Sequence, residues 1–135
     1  MRYEGQAAME LEYIIGDIKI DESYPIEIID NEGVYIINWE QLVRHIIEEY
    51  RNSLASGLIS AKFHNSMAEI MVEIARKAGQ EKVVLSGGCF QNKYLLEQCV
   101  ERLDKAGFRP YWHQRIPPND GGISLGQVMA AIRSK

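Results

Sequence analysis

The chain has 135 residues, of which 46% are hydrophobic and 25% charged, and its formal net charge is −4. This length and composition predict one domain with its own apolar core, and exclude disorder, collagen and a coiled coil as the main state. The acidic balance disfavours a nucleic-acid partner, because phosphate binding normally needs a basic face. No apolar run approaches the roughly 20 residues of a membrane span, and the N-terminus has glutamates where a secretory signal has its apolar stretch. We therefore expect a cytoplasmic protein with no membrane partner.

Two kinds of element are predicted at the start of the chain. Residues 6–15 follow the turn residue Gly5 and are rich in good helix formers. Further along, β-forming residues flank the turn signal Asn31-Glu32-Gly33, which predicts a hairpin within residues 26–37.

Two helices are predicted next. Asn38 is expected to cap the first, with Gln41 three residues on as in a capping box. The second begins near Ser56 and ends at Gly79, a residue suited to a left-handed helix end. Its apolar residues recur at helical spacing and are interpreted as core: Ile59, Phe63, Met67, Ile70, Met71 and Ile74.

The second half of the chain has the pattern of a βαβ unit. Residues 82–86 form a short apolar strand of the buried parallel kind, residues 90–106 an amphipathic helix, and residues 108–112 a second strand. The crossover is expected to be right-handed. A last helix is predicted over residues 123–132.

The loop LSGGCFQN, residues 85–92, is the first candidate site. Gly87 and Gly88 allow close backbone approach, and a helix N-terminus favours an anion, so a strand running into this loop is suited to phosphate. The alternative is a tight turn with no ligand. Cys89 could have a lowered thiol pKa at such a helix start, but no histidine is near it in sequence, so we do not assign it as a nucleophile.

Two further segments carry candidate residues. In PPNDGGISLGQ, residues 117–127, Asp120 is the single acid, and it is either a helix N-cap or a carboxylate facing a metal or a phosphate-bound cation. In residues 3–12, Gly5 could approach a nucleotide, whereas the glutamates are interpreted as solvated helix-end charges: Glu4, Glu10 and Glu12.

The cysteines and histidines complete neither a metal site nor a catalytic triad by their spacing. The cysteines are ten residues apart and the histidines are scattered: Cys89 and Cys99, and His45, His64 and His113. We therefore interpret all five as ordinary side chains with no catalytic or metal-binding role.

The motifs LSGGCFQNKYLLEQ, then GF, then PPNDGGISLGQ, with YEGQAAMELE and SAKFHNSMAEI upstream, occur in one order. In this order the chain resembles the C-terminal end of the hydrogenase maturation carbamoyltransferases, the HypF family, from about residue 3 to residue 132. The resemblance implies an α/β fold: a ribonuclease-H-like half-domain of the actin-like ATPase superfamily, with a mixed sheet flanked by helices and a β-hairpin insertion.

The resemblance also implies an activity. The family uses carbamoyl phosphate and ATP to make carbamoyl adenylate, and passes the carbamoyl group to the C-terminal cysteine of the partner HypE. That group becomes the cyanide ligand of [NiFe] hydrogenase.

Residue by residue, the resemblance assigns Gly87 and Gly88 to the phosphate side of the nucleotide and Asn92 to the nucleoside. It assigns Asp120 to a divalent metal, iron or zinc. Gly5 and Gln6 fall where related tRNA-modifying enzymes carry a glycine pair beside the nucleotide, and Gln6 departs from that pattern.

The family's other domains, and the half of the transferase domain that carries its HxxxH metal ligands, have no counterpart here. The resemblance therefore implies that residues 1–135 are the C-terminal half of a transferase domain, a fragment that starts at an added methionine, Met1. We expect it to be catalytically silent by itself, because transfer needs all groups in one closed site. The alternatives are a stand-alone module that binds a nucleotide or HypE, and a structural piece that self-associates through an apolar face.

Overall fold

The computed structural model describes residues 3–134, so Met1 lies outside the described residues. The helices of this part are α1 (Gln6–Tyr13), α2 (Glu40–Arg51), α3 (Ser56–Ala78), α4 (Lys93–Lys105) and α5 (Ile123–Arg133), and the strands are β1 (Glu27–Asn31), β2 (Val34–Asn38), β3 (Lys82–Leu85) and β4 (Arg109–Trp112). Short 3₁₀ turns, Gly88–Gln91 and Asp120–Gly122, precede α4 and α5. No helix among these residues is long and apolar enough to cross a membrane.

The strands form two separate pairs. β1 and β2 make the predicted antiparallel hairpin, and β3 and β4 pair in parallel, with Leu85 opposite Trp112, as a βαβ unit around α4 requires. The expectation of one mixed sheet is wrong for residues 3–134. α2 and α3 separate the hairpin from β3 along the chain, and β3 and β4 hydrogen-bond only to each other there.

The apolar core lies between α3, α4 and the buried face of β3. Its members are small, branched or aromatic side chains that exclude water almost completely: Ala68, Val72, Ala75, Leu85, Phe90, Leu95, Cys99 and Leu103. None of the six residues of the predicted stripe of α3 belongs to this core: Ile59 is buried outside it, and the other five are half-buried, with Met67 and Met71 packed against it. Small residues such as Ala68 and Ala75 allow α4 to approach α3 closely, and the larger Met71 also reaches α4, with its Sδ 3.2 Å from the Sγ of Cys99.

Polar side chains of α3 are buried as well, and they hold the segment that precedes β1. Asn65 is fully buried, and its Nδ2 donates to the carbonyl oxygens of Ile20 and Glu22, both at 2.9 Å. The Ser66 hydroxyl accepts from the backbone N–H of Tyr24 at 2.8 Å. These contacts satisfy groups whose burial would otherwise be costly.

Helix ends test two of the predicted caps. Gly79 ends α3 in the left-handed conformation, with a φ of 64°, as predicted. The capping box of Asn38 and Gln41 is wrong, because α2 begins only at Glu40. The Asn38 oxygen instead accepts from the Glu40 N–H at 3.2 Å, and its Nδ2 donates to Glu27 across the hairpin at 2.8 Å.

Two helical glycines give a matched test of how α3 packs on the end of α1. A Cβ on Gly57 would lie 2.6 Å from the carbonyl oxygen of Ile14, whereas one on Gly126 of α5 would meet nothing within 4 Å. We expect Gly57→Ala to lower the free energy of unfolding by about 1–3 kcal/mol. We expect Gly126→Ala to raise it by about 0.5–1 kcal/mol, since alanine is the better helix former. Urea unfolding of both variants measures this, and two changes of the same sign would contradict the packing of α3 on the end of α1.

Candidate nucleotide site

A cavity of about 430 Å³ lies where α1, α3 and the start of α4 meet. Three residues that the sequence assigned to a nucleotide, Gly5, Gly88 and Asn92, line it together. The rest of the wall is partly apolar and partly acidic: Glu4, Ala8, Met9, Leu11, Glu12, Phe63, His64, Met67, Cys89, Gln91 and Leu95. Segments that are far apart in sequence therefore converge on one opening.

Asn92 is the N-cap of α4, one position before the helix in which the sequence placed it. Its side-chain oxygen accepts from the Leu95 N–H at 2.8 Å. Its Nδ2 lies 2.8 Å from Nε2 of His64. Because the oxygen is used by the cap, the amide group must donate to the imidazole.

His64 was not selected by sequence reasoning, yet it is buried in the wall of the cavity, with 4% of its surface exposed. Its Nδ1 lies 2.8 Å from the carbonyl oxygen of Ser60, and that oxygen can only accept. Nδ1 therefore carries the proton and Nε2 accepts from Asn92, which defines a neutral imidazole. The Ser60 hydroxyl donates to the Leu11 carbonyl at 2.6 Å. This chain of bonds ties α1, α3 and α4 together.

The position of Glu12 contradicts the prediction that this glutamate is a solvated helix-end charge. It is not a solvated charge, because its Oε1 accepts from the backbone N–H groups of Lys93 at 2.7 Å and Tyr94 at 3.4 Å. The carboxylate thus sits at the N-terminus of α4, where a helix favours negative charge. A phosphate at that helix end would meet a like charge, so α4 does not provide the anion site that the loop motif predicts.

The LSGG loop is instead attached to the loop that follows β4. The Gly87 N–H donates to the Pro118 carbonyl at 2.9 Å, and Gly87 has a φ of 109°, which favours glycine. Next to it, the Ser86 hydroxyl and Nε2 of His113 are 3.0 Å apart. Sequence reasoning placed His113 at the end of a strand but did not pair it with Ser86.

The remaining candidates lie outside the cavity wall. Gln6 donates to the Glu10 carboxylate at 2.7 Å. Asp120 is exposed and caps neither element: Gly122 is the N-cap of α5, and Asn119 caps the 3₁₀ turn, where it accepts from the Gly121 N–H at 3.0 Å. Within residues 3–134 no group of three His, Cys, Asp or Glu residues is placed to hold a metal ion. The carboxylate of Asp120 suits a cation, but the described residues do not complete a coordination shell around it.

The two cysteines have opposite environments. Cys89 is exposed and lines the cavity, whereas Cys99 is fully buried in the core. Burial, with a smaller contribution from the nearby Cys89, raises the pKa of the Cys99 thiol to about 12. Since the thiolate is the reactive form, Cys99 is inert at neutral pH while the protein is folded.

Comparison with known proteins decides the family. The family model described as "Carbamoyltransferase, Kae1-like Domain, second subdomain" matches residues 1–127. The chain belongs to the HypF carbamoyltransferase family. The resemblance found in the sequence motifs is thereby confirmed.

Similar HypF proteins are much longer than this chain. The carbamoyltransferase HypF of Synechocystis is 43% identical over 133 residues, which are 98% of this chain and 17% of that protein. The probable carbamoyltransferase HypF of Methanocaldococcus jannaschii is 31% identical over 134 residues, 96% of this chain and 17% of that protein. The chain thus spans about a sixth of the length of these relatives.

Solved HypF structures share the fold. A full-length HypF, crystallised in its phosphate- and nucleotide-bound form, matches with a TM-score of 0.87 and 43% identity, over 97% of this chain and 18% of that one. The HypF of T. kodakarensis matches with a TM-score of 0.73 and 27% identity, over 95% of this chain and 17% of that one. The arrangement of small sheets and helices described above is therefore that of the HypF family.

Replacement of Asn92 tests the bonds at the cavity. Asn92→Ala removes both the cap and the donor to His64, so we expect the free energy of unfolding to fall by about 1–3 kcal/mol. Asn92→Ser keeps a capping oxygen and should lose roughly half as much. Gln91→Ala, at the exposed neighbouring position, should change it by less than about 0.5 kcal/mol. Urea unfolding compares the three, and equal values for all of them would refute a stabilising role for the Asn92 bonds.

Proposed function

We propose that this chain forms one wall of the nucleotide site of a HypF-type carbamoyltransferase that acts in hydrogenase maturation. The reaction uses carbamoyl phosphate and ATP, proceeds through carbamoyl adenylate, and carbamoylates the C-terminal cysteine of HypE. The parts of the family's length that this chain does not span supply the rest of the site. The single observation that carries the proposal is the convergence of Gly5, Gly88 and Asn92 on one cavity.

The chemistry of the cavity suits a nucleotide. Its apolar residues, Met9, Phe63, Met67 and Leu95, offer a surface for a base, and polar groups beside them can orient a sugar. The glycine at position 88 leaves room for a phosphate group, and a Cβ there would meet nothing within 4 Å. Further support is that a solved relative with TM-score 0.87 was crystallised in a phosphate- and nucleotide-bound form.

In this proposal the residues of this chain bind and orient the nucleotide, but they do not supply every group that the reaction needs. Asp120 would contribute one carboxylate to a divalent metal, iron or zinc, shared with residues outside this chain. The metal would supply a positive charge for phosphate oxygens. We infer that the chain by itself shows no carbamoyl transfer, because neither the adenylate nor the remaining ligands are held in place.

A second candidate role is self-association, and α5 favours it. Its apolar side chains are exposed, with Ile123 at 56%, Val128 at 54% and Ile132 at 63%. An exposed apolar face of this kind marks an interface, either with the rest of a larger protein or with a second copy. Light scattering of the isolated chain distinguishes these two kinds of interface, because a monomeric chain excludes an interface with a second copy.

Alkylation of Cys89 reports on the cavity directly. The protein for this test is a chimera in which the chain replaces the matching segment of Synechocystis HypF. We expect saturating ADP to slow iodoacetamide modification of Cys89 at least several-fold, because the bound nucleotide covers the wall on which the thiol lies. Peptide mass spectrometry follows the modification, with buried Cys99 as the internal control for unfolding. An unchanged rate for Cys89 at saturating ADP would refute the proposed nucleotide site.

Removal of the Asp120 carboxylate tests the metal. In the chimera, Asp120→Ala should lower metal content and carbamoyl transfer to HypE together, whereas Asp104→Ala, at another exposed aspartate, should change neither. The chain by itself should purify without stoichiometric metal, since residues 3–134 place no three ligand side chains together. Elemental analysis decides both points. One tightly held metal per isolated chain, or full metal content in the Asp120→Ala chimera, would contradict the assignment.

A further inference from the structure

Ser86 and His113 directly follow the two parallel strands. Leu85 and Trp112 are the last paired residues of β3 and β4, so the next residue of each strand leaves the sheet beside the other. The Ser86 Oγ and the His113 Nε2 are 3.0 Å apart, and the pair faces solvent instead of the core. The carboxyl ends of parallel strands are where α/β folds bind ligands.

The position of Glu12 directs a phosphate toward this pair. The N-terminus of α4 is filled by the Glu12 carboxylate, which repels an anion there. A phosphate group would avoid that end of the cavity and favour the side of Gly88, a lining residue two positions from Ser86; Ser86 and His113 themselves lie just outside the cavity wall. Few other polar side chains are available on that loop, since Gly87 and Gly88 carry none.

We propose that Ser86 and His113 form a phosphate-recognition pair of the nucleotide site. The Ser86 hydroxyl donates to a phosphate oxygen, and protonated His113 donates from Nε2 to Ser86 Oγ. Ser86 is then the binding residue and His113 the positioning residue, and no covalent bond forms or breaks. The inference rests on the proposed function, because it names residues for the phosphate end of that same site.

The pair makes phosphate binding depend on pH. When His113 is neutral, the Ser86 proton can be directed at Nε2; when the imidazole is protonated, that proton is released toward the phosphate and a positive charge is added. The other charged or titratable side chains of the surrounding elements are these: Arg115 and Asp120 on the loop after β4, Cys89 on the loop after β3, Lys82 on β3, Arg109 and Tyr111 on β4, and Lys93 in the first turn of α4, paired with Glu97 at 3.7 Å. We therefore expect protonation of His113 to strengthen the binding of a phosphate-bearing ligand and its deprotonation to weaken it.

The experiment measures half-maximal protection of Cys89 in the chimera by ADP and by adenosine, from pH 5.5 to 8. Ser86→Ala should weaken ADP protection by roughly tenfold, the effect of one hydrogen bond to a charged group, and leave adenosine unchanged. Ser86→Thr retains the hydroxyl and should restore ADP binding. The glutamine of His113→Gln can still hydrogen-bond to Ser86 but does not titrate. ADP itself titrates in the same way with both proteins, so the difference between the pH profiles of ADP affinity in this variant and in the unmodified chimera reports on His113. His45→Gln is the matched control at a distant histidine.

Each outcome decides the proposal. The pair is supported if Ser86→Ala loses affinity for ADP but not for adenosine, and if the ADP affinity of His113→Gln depends less on pH than that of the unmodified chimera. Equal losses for ADP and adenosine would make the pair a structural link between two loops and overturn the proposal. Unchanged ADP affinity in folded Ser86→Ala, checked by circular dichroism, would overturn it while leaving the nucleotide site intact. If ADP does not protect Cys89 in the unmodified chimera, the proposed function and this inference fail together.

Discussion

The hydrogen bond between Asn92 and His64 fixes the wall of the cavity, because it joins α3 and α4 where their shared apolar core reaches the opening. Asn92 caps α4 with its oxygen and can therefore offer only its amide group to the imidazole. His64 then presents its proton to Ser60 on its own helix, and the Ser60 hydroxyl reaches Leu11 on α1. The cap fixes the direction of the bond from Asn92 and thereby the tautomer of His64, and the Ser60 hydroxyl separately links α3 to α1, so hydrogen bonds join all three helices around the opening.

Electrostatics then determine how a nucleotide would be oriented. A strand followed by glycines and a helix is typical of anion sites, in which the helix N-terminus faces the phosphate. Here a 3₁₀ turn separates Gly88 from α4, and Glu12 supplies the negative charge at the helix end. The proposal therefore places the phosphate end of the nucleotide on the loop side, where the strands β3 and β4 end.

Sequence patterns predicted what local periodicity determines. The helices, the hairpin and the βαβ unit follow from the spacing of apolar residues and from turn residues such as Gly79. The errors concern packing: alanines of α3, more than its large apolar side chains, face α4, and the strands form two pairs. The contacts that sequence reasoning missed join residues far apart: His64 and Asn92 by 28 positions, Glu12 and Lys93 by 81. No local pattern encodes such pairs, although a polar run on an otherwise apolar helix, as at His64, was an available signal.

The central claim is that His64 is a neutral imidazole protonated at Nδ1, with Nε2 accepting from Asn92. Long-range ¹H–¹⁵N correlation spectra of the histidine side chains measure this tautomer directly at neutral pH. We predict an unprotonated Nε2 for His64, and a shift of that nitrogen signal in Asn92→Ser. A proton on Nε2, in either the other tautomer or the imidazolium, would contradict it, because Asn92 could not then donate while capping α4.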